Sequence, residues 1–150
     1  MFRRRNVSAL VFLLWVYSTT TWAGSEESNI TLSVTGADSD VGNIMASLFD
    51  SAESYMETPL VDVTASVDEH GAAVLNFGSH LPGQFAIVVF YDKNENGKLD
   101  TGFLRIPKEK VGFSNNAKGR FGPASWDDAL FSLDGVDLQV AIELIHAKKN

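Results

Sequence analysis

The most informative segment of the chain is a polar stretch at residues 92–100, with the sequence DKNENGKLD. Oxygen-bearing residues at positions 1, 3, 5 and 9, a backbone carbonyl at position 7 and glycine at position 6 are the pattern of a calcium loop. Alternate residues of a tight turn direct their oxygens at one centre, and Ca²⁺ takes six to eight oxygens. The predicted ligands are the side chains of Asp92, Asn94, Asn96 and Asp100 and the main-chain carbonyl of Lys98.

The match fails at position 12, where a calcium loop carries a bidentate glutamate and this chain has Phe103. The missing oxygen must come from water or from another carboxylate, and Glu109, Asp127 and Asp128 are the candidates. With two certain carboxylates, we expect weak binding, with a dissociation constant of roughly 10⁻⁴ to 10⁻³ M. The competing interpretation is a polar hairpin loop, which Asn and Gly commonly form without a metal.

Enzymatic chemistry has a weaker basis in the sequence. A carboxylate pair such as Asp92 and Asp100 suits acid/base cleavage of a glycosidic bond, so a hydrolase acting on an envelope polysaccharide is the alternative function. Residues 112–116, GFSNN, open like a nucleophile elbow but lack its closing glycine. The three histidines are far apart, and none begins a His-Glu-x-x-His zinc motif. We therefore predict no catalytic residue.

Two further features have both a functional and a structural interpretation. Residues 112–122 hold Ser, Asn, Lys and Arg side chains between glycines, and these donors suit a sugar or an anionic group. We favour an ordered loop whose Asn side chains cap its own backbone. Trp126 has a side chain that stacks on rings, but a packing contact that anchors the loop is the preferred interpretation.

The N-terminal residues are typical of an export signal. Arg3, Arg4 and Arg5 precede an apolar stretch, Val7–Tyr17, and Thr-Trp-Ala at residues 21–23 forms a small-x-small cleavage site. The apolar stretch is shorter than the roughly 20 residues that a membrane span needs. We predict a signal peptide over residues 1–23 and a periplasmic or extracellular mature protein with no membrane span.

Charge and cysteine content narrow the range of partners. The chain has 12 Lys+Arg and 19 Asp+Glu, and removal of the three signal arginines leaves 9 − 19 = −10. Such acidity disfavours nucleic acids and anionic membranes as partners and favours divalent cations. The absence of cysteine excludes disulfides and thiolate metal sites.

Hydrophobic periodicity indicates the elements that must position the polar loop. We predict strands at residues 30–35, 44–49, 61–67, 73–77, 85–91 and 136–144. The run at 85–91 is apolar throughout, so it should be a central strand buried on both faces. Residues 129–133 fit either a seventh strand or the end of a helical turn capped by Ser125, and residues 50–57 fit one or two helical turns. A long irregular stretch should follow from 92 to about 125.

About seven short strands and no long helix predict an all-β fold, a two-sheet antiparallel sandwich that is transthyretin-like or immunoglobulin-like. The mature chain has no internal repeat and no change in composition that would mark a domain boundary. One domain should therefore occupy residues 24–150.

Several motifs together carry a family resemblance. They are LPGQF at 81–85, the apolar strand, the polar stretch at 92–100, TG at 101–102, PKE at 107–109, GFSNNA at 112–117 and DDA at 127–129. In these the chain resembles the bacterial domain of unknown function family 2141, most specifically between residues 81 and 133. The resemblance implies an exported bacterial sandwich protein and no established activity. Two departures concern loop geometry: Arg105 stands where glycine is usual, and Ala124 where a second proline is common.

The sequence thus favours a non-enzymatic protein over an enzyme. Its long loop would be ordered by weakly bound Ca²⁺ and would serve structure or the binding of an envelope protein or glycan. The sequence does not indicate which ligand or partner it takes, nor its oligomeric state.

Overall fold

The computed structural model describes residues 26–38, 41–120 and 122–147. The predicted signal peptide, residues 1–23, lies outside the described residues. Within them, none of the helices has the length and apolar character needed to cross a bilayer.

Nine strands and one short helix form the described part of the chain. The strands are β1 (Ser28–Thr35), β2 (Asn43–Phe49), β3 (Val61–Ser66), β4 (Ala73–His80), β5 (Gly83–Asp92), β6 (Lys110–Phe113), β7 (Phe131–Leu133), β8 (Leu138–Glu143) and β9 (Ile145–His146). The helix is α1 (Trp126–Ala129), and single 3₁₀ turns occupy Phe103–Arg105 and Ser114–Asn116.

The strands form two sheets, which confirms the predicted sandwich. The small sheet has the order β4-β1-β8, and the large sheet has the order β3-β2-β5-β6-β9, with β7 paired to the start of β5. All neighbours are antiparallel except β1 and β8, which run parallel with Leu32 opposite Val140. The prediction of an antiparallel sandwich is therefore correct except at this one pair.

Strand β5 is central and buried on both faces, as the continuous apolar run predicts. Ile87, Val89 and Tyr91 face the main core between the sheets, which they share with residues of β1, β2, β4 and β8. Ala86 belongs to a second apolar cluster on the opposite face of the large sheet, built with Val111 and residues of the long loop region. Because both faces are covered, β5 is packed against other residues up to its last residue, Asp92.

Three of the sequence predictions need correction in detail. Residues 50–57 form turns rather than helix, with the amides of Glu57 and Thr58 both donating to the Ser54 carbonyl. The strand predicted at 136–144 is shorter in the structure, because β8 covers Leu138–Glu143 and the chain continues in the large sheet as β9 at Ile145–His146. Residues 129–133 contain both predicted alternatives, the end of α1 followed by β7.

The long stretch from 92 to 125 is also less irregular than predicted, since β6 lies inside it. Strand β6 has four residues and β9 has two, which is too short for a period-two pattern to be recognised. Both depend on non-local pairing with β5 and with each other.

Candidate metal loop

The polar loop at residues 92–100 begins where β5 ends. Asp92 is 2% exposed, and the backbone at Gly42 lies so close that an added Cβ would be 2.6 Å from the Asp92 carbonyl oxygen. The carboxylate is satisfied by the loop's own backbone: Oδ1 accepts from the amide of Asn96 at 3.1 Å and Oδ2 from the amide of Gly97 at 2.7 Å. Gly97 has a φ of 73°, a conformation that glycine adopts without strain. Asp92 therefore fixes the bend of the loop.

The remaining predicted side chains meet in one hydrogen-bonded network. The Asp100 carboxylate accepts from Asn94 Nδ2 at 2.9 Å and from Asn96 Nδ2 at 3.2 Å. The side-chain oxygens of the two Asn residues accept from the loop backbone instead. Asn94 Oδ1 accepts from the backbone amide of Asn96 at 3.2 Å, and Asn96 Oδ1 accepts from the backbone amide of Lys98 at 2.8 Å. The structure thus brings together the four side chains that the spacing selects.

Glu109 joins the two ends of the loop from outside. Its carboxylate accepts from the Lys93 amide at 3.2 Å and from the Asp100 amide at 2.9 Å. The Lys108 amide donates to the Asp100 carbonyl at 2.8 Å. Glu109 is one of the three carboxylates considered for the missing ligand, and its oxygens contact loop amides rather than the Asp100 carboxylate.

The other two candidates are used elsewhere. Asp128 lies in α1 and bonds to the N-cap residue Ser125, with its Oδ2 accepting from the Ser125 hydroxyl at 2.7 Å and its amide donating to that hydroxyl at 3.3 Å. Asp127 is exposed in the same helix, and Phe103, at position 12 of the pattern, is exposed and supplies no side-chain oxygen. Within the described residues, no group of three or more His, Cys, Asp or Glu is arranged to hold a metal ion. A cation here would depend on two carboxylates supplemented by neutral oxygens.

The donor set still has unused capacity. A carboxylate offers about four lone-pair positions and an amide oxygen two, and the bonds described above use one at each oxygen of Asp92, Asn94, Asn96 and Asp100. Hard oxygen donors of this kind are what Ca²⁺ prefers. A carboxylate that is buried and held by two backbone amides, as Asp92 is, has little access to a polysaccharide substrate.

The segment after β6 turns out to be structural. Ser114 is buried, and its hydroxyl accepts from the Ile87 amide at 3.0 Å and donates to the Ala129 carbonyl. Asn115 Nδ2 donates to the Leu130 carbonyl at 2.8 Å, and Asn116 Oδ1 accepts from the Glu143 amide at 2.8 Å. The prediction that these amides cap their own loop is wrong, since their partners lie on distant elements.

A shallow surface depression of about 620 Å³ lies beside this segment. Its lining includes Lys118, Arg120, Ser125 and Asp128 and no residue of the polar loop. It therefore does not form the cleft beside Asp92 and Asp100 that the hydrolase alternative would require.

Trp126 takes part in an aromatic row. Its ring packs edge-on against Tyr55 at 5.7 Å between centroids, and Tyr55 packs edge-on against Phe49 at 5.4 Å. The Tyr55 hydroxyl donates to the Ala124 carbonyl at 3.1 Å. Burial, together with the charge of Asp128, raises the Tyr55 pKa to about 12. These contacts agree with the packing interpretation of Trp126.

The comparisons with known proteins give one match. A family model described as an uncharacterized protein conserved in bacteria, DUF2141, matches residues 32–141, which are 110 of the 150 residues. Comparison with curated proteins and with solved structures found no match.

Proposed function

We propose a function for this chain from the premise that it belongs to the DUF2141 family of bacterial proteins. The protein is a non-enzymatic sandwich, exported to the periplasm or beyond. Its loop at residues 92–100 binds Ca²⁺ weakly, and the ordered loop serves the structure or the binding of an envelope protein or glycan. The family has no established activity, so the proposal depends on the loop.

One observation carries the proposal: Asp92, Asn94, Asn96 and Asp100 converge in one network at the end of a buried strand. The Asp100 carboxylate accepts hydrogen bonds from two neutral amide Nδ2 groups, which leave its charge available to a cation. Half a turn about the last side-chain bond exchanges nitrogen and oxygen in each Asn, and it breaks the bonds that these oxygens accept from the amides of Asn96 and Lys98. Ca²⁺ at the centre would then be held by amide oxygens and carboxylates together, with the Lys98 carbonyl and water completing the shell.

Asp92 supports this arrangement in a specific way. Its bonds to the amides of Asn96 and Gly97 hold the loop in its bent form before any cation arrives, so less ordering has to accompany binding. The low number of charged ligands still limits affinity, and we expect a dissociation constant of roughly 10⁻⁴ to 10⁻³ M.

Calorimetric titration with Ca²⁺, combined with thermal unfolding, tests the proposal. At ten times the dissociation constant, Ca²⁺ should stabilise the protein by about 1.4 kcal/mol. Asp100→Asn should remove both the heat and the stabilisation. Glu95→Gln is the matched control, because it removes one charge from the same loop at a position outside the ligand pattern.

Two outcomes would contradict the proposal. One is the absence of heat and of any rise in melting temperature at millimolar Ca²⁺. The other is an equal loss of binding heat in Asp100→Asn and Glu95→Gln, which would indicate general attraction of cations to an acidic surface.

The proposed export is tested separately by mass spectrometry of the protein recovered from outside the cytoplasm. The expected N-terminus is Gly24.

A further inference from the structure

The tip of the loop that follows the polar segment carries two exposed apolar side chains. Thr101 and Pro107 pair as an isolated antiparallel bridge, and the Gly102 amide donates to the Ile106 carbonyl at 2.7 Å. These contacts close a narrow hairpin at residues 101–107, here called the tip. Phe103 is 87% exposed and Leu104 is 75% exposed. The fold therefore presents an aromatic and an aliphatic side chain to solvent side by side.

The backbone of the tip is strained where these side chains emerge. Leu104 has a φ of 60° and Arg105 a φ of 58°, in the left-handed region that non-glycine residues seldom adopt. Such strain costs of the order of 1 kcal/mol or more at each residue and is concentrated at functional segments. Phe103 and Leu104 are exposed, and Leu104 also lies on strained backbone, so they contribute little to the stability of the fold. A contact with another molecule would give these side chains a function.

The charge of the tip is opposite to that of the chain. Arg105 and Lys108 are exposed, while the neighbouring Glu109 carboxylate is turned onto the amides of Lys93 and Asp100. The whole chain has a net charge of −7, which disfavours an anionic surface. At physiological ionic strength, however, charges more than about 8 Å apart are largely screened. The exposed charged side chains near Phe103 and Leu104 are therefore those of Arg105 and of Lys108, which follows the tip. The flanking acids Asp100 and Glu109 are half-buried.

The size of the apolar feature favours lipid over protein as the occupant. A stable protein interface covers about 800 Å² on each partner and 20 to 30 residues, whereas the tip offers two apolar side chains. Insertion of aromatic and aliphatic groups below lipid headgroups needs no matching surface, and flanking Arg and Lys side chains keep their charges at the headgroup level. Anionic lipid phosphates complement Arg105 and Lys108.

We propose that the tip is a peripheral membrane anchor. Phe103 and Leu104 insert into the headgroup boundary of a bilayer that contains anionic phospholipid, and Arg105 and Lys108 contact lipid phosphates. The anchor is reversible, because two side chains bury little apolar surface and the acidic body of the protein opposes close approach. The proposal does not depend on Ca²⁺ at the polar loop.

The absence of cysteine from the chain allows a local test. Phe103→Cys, labelled with an environment-sensitive fluorophore, reports on the tip, and Val74→Cys provides the control at a residue 68% exposed on β4. The probes are vesicles of phosphatidylcholine with and without phosphatidylglycerol, in buffer that contains a chelator. We expect a blue shift and rise in emission at position 103 with phosphatidylglycerol vesicles and no change at position 74. Because the readout is local, a retained N-terminal apolar segment would not produce this difference.

Vesicle sedimentation of unlabelled variants measures the contribution of the tip. Phe103→Ser/Leu104→Ser should lower the partition coefficient about tenfold or more, while Val74→Ser/Val136→Ser, which also removes two exposed apolar side chains, should leave it unchanged. Arg105→Gln/Lys108→Gln should remove the preference for anionic vesicles.

Three results would overturn the proposal. The first is the absence of a spectral change at position 103 with either kind of vesicle. The second is partitioning that survives Phe103→Ser/Leu104→Ser. The third is self-association without vesicles that these two substitutions abolish, which would identify a second copy of the chain as the occupant.

Discussion

Two polar segments that each follow a strand of the large sheet are built in opposite ways. The loop at residues 92–100 bonds mainly within its own nine residues, and its outside bonds run to Lys108 and Glu109. The turn at Ser114–Asn116 bonds to residues 13 to 27 positions away. The first segment is therefore held by local bonds, which the proposed Ca²⁺ would replace in part. The second links β5, α1 and β8.

The largest expected effect follows from the turn. Ser114→Ala should lower the free energy of unfolding by about 2–4 kcal/mol, because a buried amide at Ile87 and a buried carbonyl at Ala129 each lose their partner. Urea denaturation measures the change, and Ser132→Ala, at an exposed position of β7, is the control. A loss equal to that of the control would contradict the structural role of the turn.

The equivalent change in the polar loop should be smaller and should stay local. Asp92→Ala should lower the free energy of unfolding by about 1–2 kcal/mol, since water reaches most of the loop and can bond to the freed amides. Hydrogen exchange should accelerate at Asn96 and Gly97 and stay unchanged at Ile87. Faster exchange throughout β5 would mean that the loop supports the sandwich as the turn does, and the contrast between them would fail.

The departure from the family pattern at Arg105 gives a prediction of opposite sign. Its φ of 58° is one that glycine adopts without strain. Release of about 1–2 kcal/mol of strain outweighs the extra chain entropy of glycine, so Arg105→Gly should stabilise the fold by about 0.5 kcal/mol.

Lys108→Gly is the matched control for this change. It removes a cation from the same region at a residue without positive φ, and it should destabilise the protein. Thermal unfolding of the two variants distinguishes them. Destabilisation by both would contradict the claim that the backbone at Arg105 is strained.

The smallest effect concerns acid stability. Lys110 Nζ lies 2.5 Å from Asp38 Oδ1 and 2.8 Å from the Gly36 carbonyl oxygen, and its hydrogen bond lowers the Asp38 pKa. A lowered pKa stabilises the folded state above the unfolded value of about 3.9, and this contribution is lost as the pH falls below it. Asp38 is 42% exposed, so the contribution should be below about 1 kcal/mol.

Melting temperatures between about pH 5 and pH 3 test this dependence. Asp38→Asn should flatten the acid side of the profile and leave Ca²⁺ binding unchanged. An unaltered acid profile would show that the ion pair contributes nothing measurable to folding.

The same contrast explains how far the sequence predicts the molecule. The contacts of the loop can be predicted from the sequence because they are local. A bend at Gly97 brings together four side chains that are two to eight residues apart, those of Asp92, Asn94, Asn96 and Asp100. The long alternating strands and the buried strand β5 can be predicted for the same reason, because consecutive residues carry their hydrophobic pattern.

Features that depend on residues distant in the chain could not be predicted from the sequence. The β6 and β9 strands, the parallel pairing of β1 with β8 and the partners of Asn115 and Asn116 arise only when remote segments meet. Glu109 was one of three carboxylates that the sequence could not rank, because its amide contacts depend on the return of the chain towards β6. The left-handed backbone at Arg105 had one signal, the departure from the usual glycine.

The most direct test of the central claim, that Ca²⁺ binds at residues 92–100, is an amide NMR titration of the protein with Ca²⁺. Ca²⁺ binding at this loop predicts saturable shifts of the amides of Asn96, Gly97 and Lys98, with the Ser114–Asn116 turn unchanged. Small shifts spread over the amides of acidic residues across the surface, or no saturation in the expected millimolar range, would contradict it.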